Sequence, residues 1–371
     1  MNNNIKSNDV FEKDDLQKII ELIEDGNADG LIPNISEKQI KQIMAADKNY
    51  PRTSKNMQTF QNNYFEHHYS SSTPQNYTSK DKIQSRLFDD LIIYAANGLS
   101  RDECLGCPHR SSMKDIPGQK CLEEIYNPSE YPKGKKLYNC PVITKNYVLR
   151  YLNSFASQMR YIFERQFAKQ SILDKSTLRV LSLGCGASPD LIALLSLKDK
   201  GFNQNILYTG VDLERSWQGL HNRIQHRSCY DKEFGAQFSY ENAIDFMQKN
   251  KNSYDIVIVQ NILSHFKRTD NIDFVPVFME LLKNNIIPNM SQNGLLIISD
   301  IEYNGFRWIN IAKDILSKYG EKTEITYWGD YKNDGWILHE NDKVLFNYPI
   351  DMEKFEPLKQ CTRTIQFMLR T

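Results

Sequence analysis

The 371-residue chain carries no excess of charge of either sign and no long apolar run. Lys and Arg together number 46, as do Asp and Glu. A balanced chain has no overall field that favours nucleic acid, an anionic membrane or an acidic substrate, although a local patch still can. No apolar run approaches the ~18 residues of a membrane span, and the polar start MNNNIKSNDVFEKDD lacks the apolar core of a signal peptide. We therefore expect a cytoplasmic protein without a membrane span.

Cysteine is scarce as well. There are 7 cysteines, an odd number, and four of them cluster in one segment. This usage fits reduced thiols in a cytosolic chain better than a disulfide framework. The hydrophobic content of 40% and charged content of 25% are ordinary for a globular protein, and the length allows two domains.

The pattern of residues divides the chain into three regions. Residues 1–100 are polar with patches of helical periodicity, 101–141 hold the clustered cysteines, and 142–371 carry most of the apolar runs. The helical patches cover 16–25, 37–47 and 83–98. We expect a mainly helical, Cys-bearing N-terminal domain before a larger C-terminal domain.

In the C-terminal region, strand-length apolar runs alternate with helical patterns. A long helix is predicted over 142–170, and further helices over 275–288 and 307–320. The predicted strands are 178–184, 206–213, 236–242, 254–263, 294–302, 321–328 and 363–370. Such alternation predicts an α/β fold, a mostly parallel seven-stranded Rossmann-like sheet with helices on both faces.

The segment Leu178 to Asp190 reads LRVLSLGCGASPD, a strand, a tight glycine turn and a helix that Pro189 opens. Gly184 and Gly186 have no Cβ, so the turn can bend and a ligand can lie against the backbone. This arrangement is typical of α/β sheets that present free N–H groups to a nucleotide-like ligand. A ligand-free α/β loop is the alternative.

An acid ends the second predicted strand. Asp212 in YTGVDLE could accept two vicinal hydroxyls with one carboxylate, at the sheet edge where open α/β folds bind ligands. A dinucleotide is disfavoured because Pro189 stands where that motif has a third Gly or Ala. Asp212 also lies 26 residues after Gly186, beyond the usual distance of about 20. Without the turn, a helix cap or surface acid would explain Asp212 equally well.

The strand, the GCG turn, the acid and the strand count together resemble class I S-adenosylmethionine-dependent methyltransferases over roughly 142–371. The commonest turn of that family has a third glycine near Ser188. The resemblance implies that the turn approaches the methionine part of the cofactor, that Asp212 binds the ribose, that Asn242 and Ala243 contact the adenine, and that Gln260 touches the cofactor. The implied cofactor-binding residues are Leu183, Gly184, Cys185, Gly186, Ala187, Asp212, Leu213, Asn242, Ala243 and Gln260. Asn242 could equally be a helix cap.

The fourth strand ends in Asn261-Ile262-Leu263-Ser264-His265, similar to methyltransferases that modify small molecules. It lacks the Asn/Asp-Pro-Pro-Tyr/Phe and Pro-Cys motifs of enzymes that methylate exocyclic amines or cytosine carbon-5. The resemblance places His265 toward the acceptor as a base or orienting group, and Tyr303 after the fifth strand is a second candidate. Structural roles are the alternative for both. Methyl transfer needs mainly alignment and exclusion of water.

The cysteine cluster is a separate constellation. Two cysteines form a Cys-x2-Cys pair, and two more follow on predicted loops. The candidate ligands are Cys104, Cys107, Cys121 and Cys140. Four thiolates suit a structural zinc ion. Because Cys107 and Cys140 precede proline, an iron–sulfur cluster is the alternative. Alternatively, these cysteines bind no metal and pack as ordinary small apolar residues.

Together these features predict S-adenosylmethionine-dependent methyl transfer to a small-molecule or peptide-like acceptor. One alternative is an RNA or other macromolecular acceptor, recognised by the metal segment and the nearby lysines and tyrosines of 101–150. Another is a catalytically silent methyltransferase fold that serves binding or assembly.

Overall fold

The structure is a computed structural model. It describes residues 13–24, 43, 83, 85–99, 116–167, 175–231, 233–301, 307–327, 330–332, 335–337, 343–362 and 364–371. The chain divides into two compact units, residues 1–78 and 79–371. In the first unit, α1 (Lys13–Glu24) is an amphipathic helix that buries Ile19 and Ile20. The predicted helix over 37–47 lies outside the described residues except for Ile43.

The second unit alternates helices and strands. Its helices are α2 (Arg86–Asn97), α3 (Gln119–Tyr126), α4 (Pro141–Phe167), α5 (Pro189–Leu195), α6 (Gln218–Tyr230), α7 (Ala243–Lys249), α8 (Leu263–Arg268), α9 (Phe274–Leu281) and α10 (Trp308–Ile315). Its strands are β1 (Thr177–Leu183), β2 (Asn205–Asp212), β3 (Phe234–Tyr240), β4 (Tyr254–Gln260), β5 (Met290–Asp300), β6 (Thr323–Tyr327), β7 (Asp330–Lys332), β8 (Gly335–Ile337) and β9 (Ile365–Arg370).

Seven strands form one mixed sheet in the order β3-β2-β1-β4-β5-β9-β6. The first five are parallel, and β9 runs antiparallel to both β5 and β6. The chain moves outward from β1 to β3 and then returns to β4 on the other side of β1. Ligands of open α/β sheets bind at the carboxyl ends of the strands at such a reversal.

Both faces of the sheet are buried, which is why its central strands are almost continuously apolar. In β4, Ile256 and Ile258 enter one hydrophobic core, and Val257 and Val259 enter the other. Period-two alternation along a strand sends neighbours to opposite faces. The first core includes side chains of α2, α4, α5 and α6, and the second includes side chains of α7, α9 and α10.

The predicted α/β class and seven-stranded sheet are confirmed, with the sheet mixed at the β9 edge. Each predicted strand overlaps one of these seven, and the predicted long helix corresponds to α4. The small hairpin of β7 and β8 lies between the predicted strands 321–328 and 363–370, where the sequence predicted no strand. The helix α2, predicted within the N-terminal region, packs on α4 inside the second unit. Among the described helices, none is long and apolar enough to cross a membrane.

Candidate functional site

A cleft lies at the carboxyl ends of β1, β2 and β4, where the strand order reverses. It contains about 860 Å³ of empty space, part of it open to solvent. Eight of the predicted site residues line it: Gly184, Gly186, Asp212, Leu213, Asn242, Ala243, Gln260 and His265. The topology therefore brings residues that are far apart in sequence to one sheet edge.

The glycine turn after β1 depends on two left-handed glycines. Gly184 has φ +66° and Gly186 has φ +48°, conformations that residues with a Cβ rarely adopt. A Cβ on Gly184 would also meet Ile262 Cδ1 at 2.9 Å, whereas a Cβ on Gly186 would find Trp217 at 3.6 Å. The turn is therefore packed closely against the β4 side of the cleft at Gly184 and more loosely at Gly186.

The N–H groups of this turn are used inside the protein. Gly184 and Cys185 donate to Val211 O at 2.8 and 3.0 Å, and Gly186 donates to Asp212 Oδ2 at 2.9 Å. The prediction that the turn offers free N–H groups to a ligand is thus wrong for these three residues. The bonds tie the end of β1 to the end of β2, so what the turn offers the cleft is a surface without side chains.

Ser188 occupies the position of the missing third glycine. It is fully buried and adopts φ +55°, the left-handed conformation that a glycine would take at little cost. The departure from the common turn therefore changes the side chain but keeps the backbone path into α5. The cost is local strain at Ser188.

Asp212 lies at the end of β2 and, like Glu214, brings an acidic side chain to this side of the cleft. Its Oδ2 accepts from Gly186 N and its Oδ1 accepts from Glu214 N at 3.0 Å. Burial raises the pKa of this carboxyl to about 6, while the two N–H bonds oppose the shift. Each carboxylate oxygen has further acceptor capacity, and the side chain lines the cleft. Asp212 can therefore receive hydroxyl groups of a ligand.

A buried histidine supports the turn from behind. His221 lies within 2.6 Å of Gly186 O through Nε2 and 3.0 Å from the Tyr240 hydroxyl through Nδ1. Burial lowers the pKa of His221 to about 4, so the ring is neutral at pH 7. A neutral ring has one N–H; Nε2 therefore donates to the carbonyl and the Tyr240 hydroxyl donates to Nδ1. Both ring nitrogens are satisfied.

On the β3 side of the cleft, the segment that follows the strand is polar and open. Asn242 caps α7, because its side chain accepts from Ile244 N at 2.9 Å. The capping role does not remove it from the cleft, which both Asn242 and Ala243 line. Leu213 projects at the rim and is 58% exposed. These three residues form an apolar and amide-bearing margin that suits a flat heteroaromatic ring.

The β4 side differs, because it has buried polar atoms without partners. Gln260 Nε2 donates to Phe155 O and Gln158 Oε1 of α4, at 3.3 and 3.4 Å. In contrast, Gln260 Oε1 and Asn261 Oδ1 are buried with no hydrogen-bond partner among the described residues. Asn261 also has φ +58°. Buried polar atoms are almost always paired, so orphaned acceptors in a cleft indicate a ligand that donates to them.

His265 lies in the same part of the cleft, in the first turn of α8. Burial, together with the nearby charge of Arg268, lowers its pKa to about 4. The ring is therefore neutral at pH 7. Its Nδ1 is buried and has no partner in the part of the chain that the structure describes. His265 can thus accept a hydrogen bond from a molecule in the cleft.

Aromatic rings cover the cleft. Trp217 lies 5.6 Å from the Tyr138 ring and 5.2 Å from the Tyr147 ring, and Tyr138 lies 5.7 Å from His265, measured between centroids. Tyr126 and Arg268 complete this side. The rings come from the loop before α4, from α4 itself and from the turn after β2. They restrict water around any bound ligand.

Several predicted residues lie elsewhere. The side chains of Leu183, Cys185 and Ala187 are buried, away from the cleft lining. Tyr303, Cys104 and Cys107 lie outside the described residues. Cys121 is buried in an apolar cluster that Cys140 borders. In the described ranges, no group of three or more His, Cys, Asp or Glu side chains could hold a metal ion. The described residues therefore do not support the predicted metal centre.

The sequence reading missed the aromatic cover and Arg268. The rings are far apart in sequence, and no local pattern brings them together. Arg268 had a signal, because it follows His265 by three residues on α8 and residues three apart lie on one helix face.

Comparison with known proteins gives distant structural likenesses. No protein-family model and no curated protein sequence matches the chain. The N-methyltransferase NodS from Bradyrhizobium japonicum matches at 10% identity, with 58% of this chain, 97% of that chain and a TM-score of 0.32. An S-adenosylmethionine-dependent methyltransferase from Agrobacterium tumefaciens matches at 11% identity, with 57% of this chain, 62% of that chain and a TM-score of 0.34. The [4+2]-cyclase SpnF matches at 14% identity, with 46% and 57% covered and a TM-score of 0.30.

Likenesses of this size say nothing about substrate or reaction, since one fold supports many functions. The molecule itself has the architecture that the sequence resemblance implied, a seven-stranded α/β sheet. The glycine turn after β1 and the carboxylate at the end of β2 lie together at one edge of that sheet. The predicted seven-stranded α/β fold is therefore confirmed.

Proposed function

We propose that the cleft binds S-adenosylmethionine and that the protein transfers the methyl group to a small-molecule or peptide-like acceptor. The proposal depends on one observation, that two kinds of hydrogen-bond acceptor line the cleft on opposite sides of β1. On one side is a carboxylate with spare acceptor capacity, Asp212. On the other are the orphaned acceptors Gln260 Oε1 and Asn261 Oδ1. The first suits vicinal hydroxyls and the second suits an ammonium group.

The residues present fit such a ligand from end to end. Leu213, Asn242 and Ala243 would hold the adenine, Asp212 the ribose, and the bare backbone at Gly184 and Gly186 the methionine chain. Leu183, Cys185 and Ala187 would shape the turn from within. When bound, the sulfonium supplies an electrophilic methyl carbon. The chain supplies alignment and a dry site through the rings of Tyr138, Tyr147 and Trp217.

His265 has a role that its neutral state permits. With its pKa held near 4, it is a weak base but a ready hydrogen-bond acceptor at pH 7. A protonated nucleophile could donate to Nδ1 and be oriented toward the methyl carbon. Tyr303 stays a prediction from the sequence.

Calorimetry with S-adenosylhomocysteine, the demethylated product, tests the proposal. Wild type should bind it, and Asp212→Asn should weaken binding about 100-fold, because each of two hydrogen bonds to a charged acceptor contributes ~1.5 kcal/mol or more. Asp245→Asn is the matched control, because Asp245 is exposed on the neighbouring helix α7 and does not line the cleft. Folded wild type that gives no heat, or equal binding by both variants, would contradict the proposal.

A macromolecular acceptor is the alternative, and the basic residues of the loop before α4 could contact it. Lys133, Lys135 and Lys136 lie beside Leu137 and Tyr138, which line the cleft, but Lys136 is paired with Asp270. An RNA acceptor would show binding that falls steeply with salt.

A further inference from the structure

Gln158 is a fully buried amide of the long helix α4. Its Nε2 donates to Thr362 O and to Thr364 Oγ1, both at 2.8 Å, and its Oε1 accepts from Gln260 Nε2 at 3.4 Å. The side chain does not line the cleft itself. Gln158 therefore joins the segment before β9 to the end of β4, and it reaches the cleft only through Gln260.

Two backbone carbonyls fix the direction of this chain of amides. A side-chain amide has one end that donates and one end that accepts, whereas a carbonyl oxygen can only accept. The Thr362 carbonyl therefore holds the nitrogen of Gln158 on its own side and turns the Gln158 oxygen toward Gln260. The Phe155 carbonyl, 3.3 Å from Gln260 Nε2, makes the same demand on Gln260. Because both contacts with α4 need the nitrogen, Gln260 has its oxygen left for the cleft.

The oxygen that this arrangement leaves over is the unpartnered atom of the β4 side. Gln260 lines the cleft, and its Oε1 is buried with no hydrogen-bond partner among the described residues. If the amide turned over, its oxygen would face two acceptors on α4, and the hydrogen bonds to α4 would be lost. The β4 side therefore presents an acceptor, which selects a ligand group that donates.

We propose that Gln158 is a positioning residue that makes the cleft selective for a donor at Gln260, the α-ammonium group of the cofactor. The inference rests on the proposed function and adds a residue of α4 to the same site. Gln158 acts by orienting the Gln260 amide and does not touch the ligand. An ammonium group carries three donors and no acceptor, so it bonds to an amide oxygen and is repelled by an amide nitrogen.

Calorimetry with two ligands tests the polarity of this contact. The ligands are S-adenosylhomocysteine and its desamino analogue, in which hydrogen replaces the α-amino group and the carboxylate is kept. Wild type should bind S-adenosylhomocysteine at least about tenfold more tightly than the analogue, because the ammonium makes a charge-assisted hydrogen bond. Gln260→Met should reduce this selectivity by at least about threefold. Equal affinities in wild type, or a smaller reduction in the variant, would overturn the role of Gln260.

Variants of Gln158 test its action behind Gln260. Gln158→Met keeps the length of the side chain but cannot hold the Gln260 amide, so the selectivity should fall by at least about threefold. Gln166→Met is the matched control, because Gln166 is an equally buried amide of α4 whose partners, Glu324 and Arg370, lie on β6 and β9. The control should lose stability and keep the wild-type selectivity. Equal selectivity of the two variants would overturn the positioning role.

A double variant separates positioning from a general loss of structure. In a Gln260→Met background, Gln158→Met should have no further effect on selectivity, since no amide is left to orient. A further loss there would show that Gln158 acts by another route and would overturn the inference. If Gln158→Met does not fold, Gln158→Asn replaces it, because it keeps a buried amide for Thr362 O but is one methylene too short to hold Gln260 as well. Wild-type selectivity in that variant would equally overturn the inference.

S-adenosylhomocysteine affinity separates this inference from the proposed function. If folded wild type does not bind S-adenosylhomocysteine, the proposed function fails. If wild type binds it and the Gln158 variants keep the wild-type selectivity, the positioning role fails while the proposed function stands.

Discussion

The two sides of the cleft differ in whether their polar atoms have hydrogen-bond partners within the protein. On the β1 and β2 side, the N–H groups of the glycine turn, the Asp212 carboxylate and both nitrogens of His221 are bonded within the protein. On the β4 side, Gln260 Oε1, Asn261 Oδ1 and His265 Nδ1 are buried without a partner in the described ranges.

The difference indicates a division of labour. A side whose hydrogen bonds are closed keeps its shape without a ligand, so changes there should cost stability. Asp212 is the exception on that side, because its carboxylate has further acceptor capacity and its loss should cost binding. A side with open acceptors carries an energetic cost that a ligand relieves. Changes on that side should cost binding more than stability.

The largest expected effect is at the glycine turn. Gly184→Ala should lower the free energy of unfolding by about 3 kcal/mol, because the left-handed backbone costs ~1–2 kcal/mol and the Cβ must displace Ile262. Gly186→Ala should lower it by only about 1 kcal/mol, since its Cβ meets nothing closer than Trp217 at 3.6 Å. Urea denaturation measures both. Equal losses would contradict the close contact between the turn and the β4 loop.

The two histidines compare the sides directly. At pH 7, His221→Gln should cost about 2 kcal/mol, because it loses the ring stacked 3.9 Å from Phe238 and one of two hydrogen bonds. His265→Gln should cost less than about 1 kcal/mol, since its Nδ1 has no partner in the described part of the chain. Similar losses at pH 7 would contradict the comparison.

The same variants give a pH dependence. Both histidines have a pKa lowered to about 4 by burial, so the unfolded chain binds protons first as the pH falls below 6.5. Each histidine therefore favours folding above pH 6.5 and loses that contribution toward pH 4. Between pH 7 and pH 5, wild type should lose up to about 2 kcal/mol more than either Gln variant. Parallel stability curves would contradict burial as the cause.

The smallest effect concerns two of the left-handed residues that are not glycine, Ser188 and Asn261. Ser188→Gly should stabilise the protein by about 0.5–1 kcal/mol, because the relief of backbone strain exceeds the extra conformational entropy that glycine gives the unfolded chain. It should leave cofactor affinity unchanged. Asn261→Gly should change stability little, because Asn tolerates this conformation, but should weaken S-adenosylhomocysteine binding severalfold by removing Oδ1. If Ser188→Gly weakened binding while Asn261→Gly changed only stability, the proposed roles of the two sides would be contradicted.

Sequence alone predicted the sheet and the position of the cleft, because strand periodicity and glycine turns are local properties. Residues such as Val180 and Leu181 alternate between the two cores, and that alternation is visible in the chain. The aromatic cover was not visible, since Tyr138, Tyr147 and Trp217 meet only through tertiary packing. Nor could the sequence show that the Asp212 carboxylate would accept a hydrogen bond from the Gly186 N–H group.

The most direct test is a crystal structure with S-adenosylhomocysteine. Its ribose hydroxyls should lie within ~3 Å of the Asp212 carboxylate, and its amino group should supply the missing donor to Gln260 Oε1 or Asn261 Oδ1. A ligand bound away from Asp212, or one that leaves both of those oxygens without a partner, would contradict the assignment of this cleft.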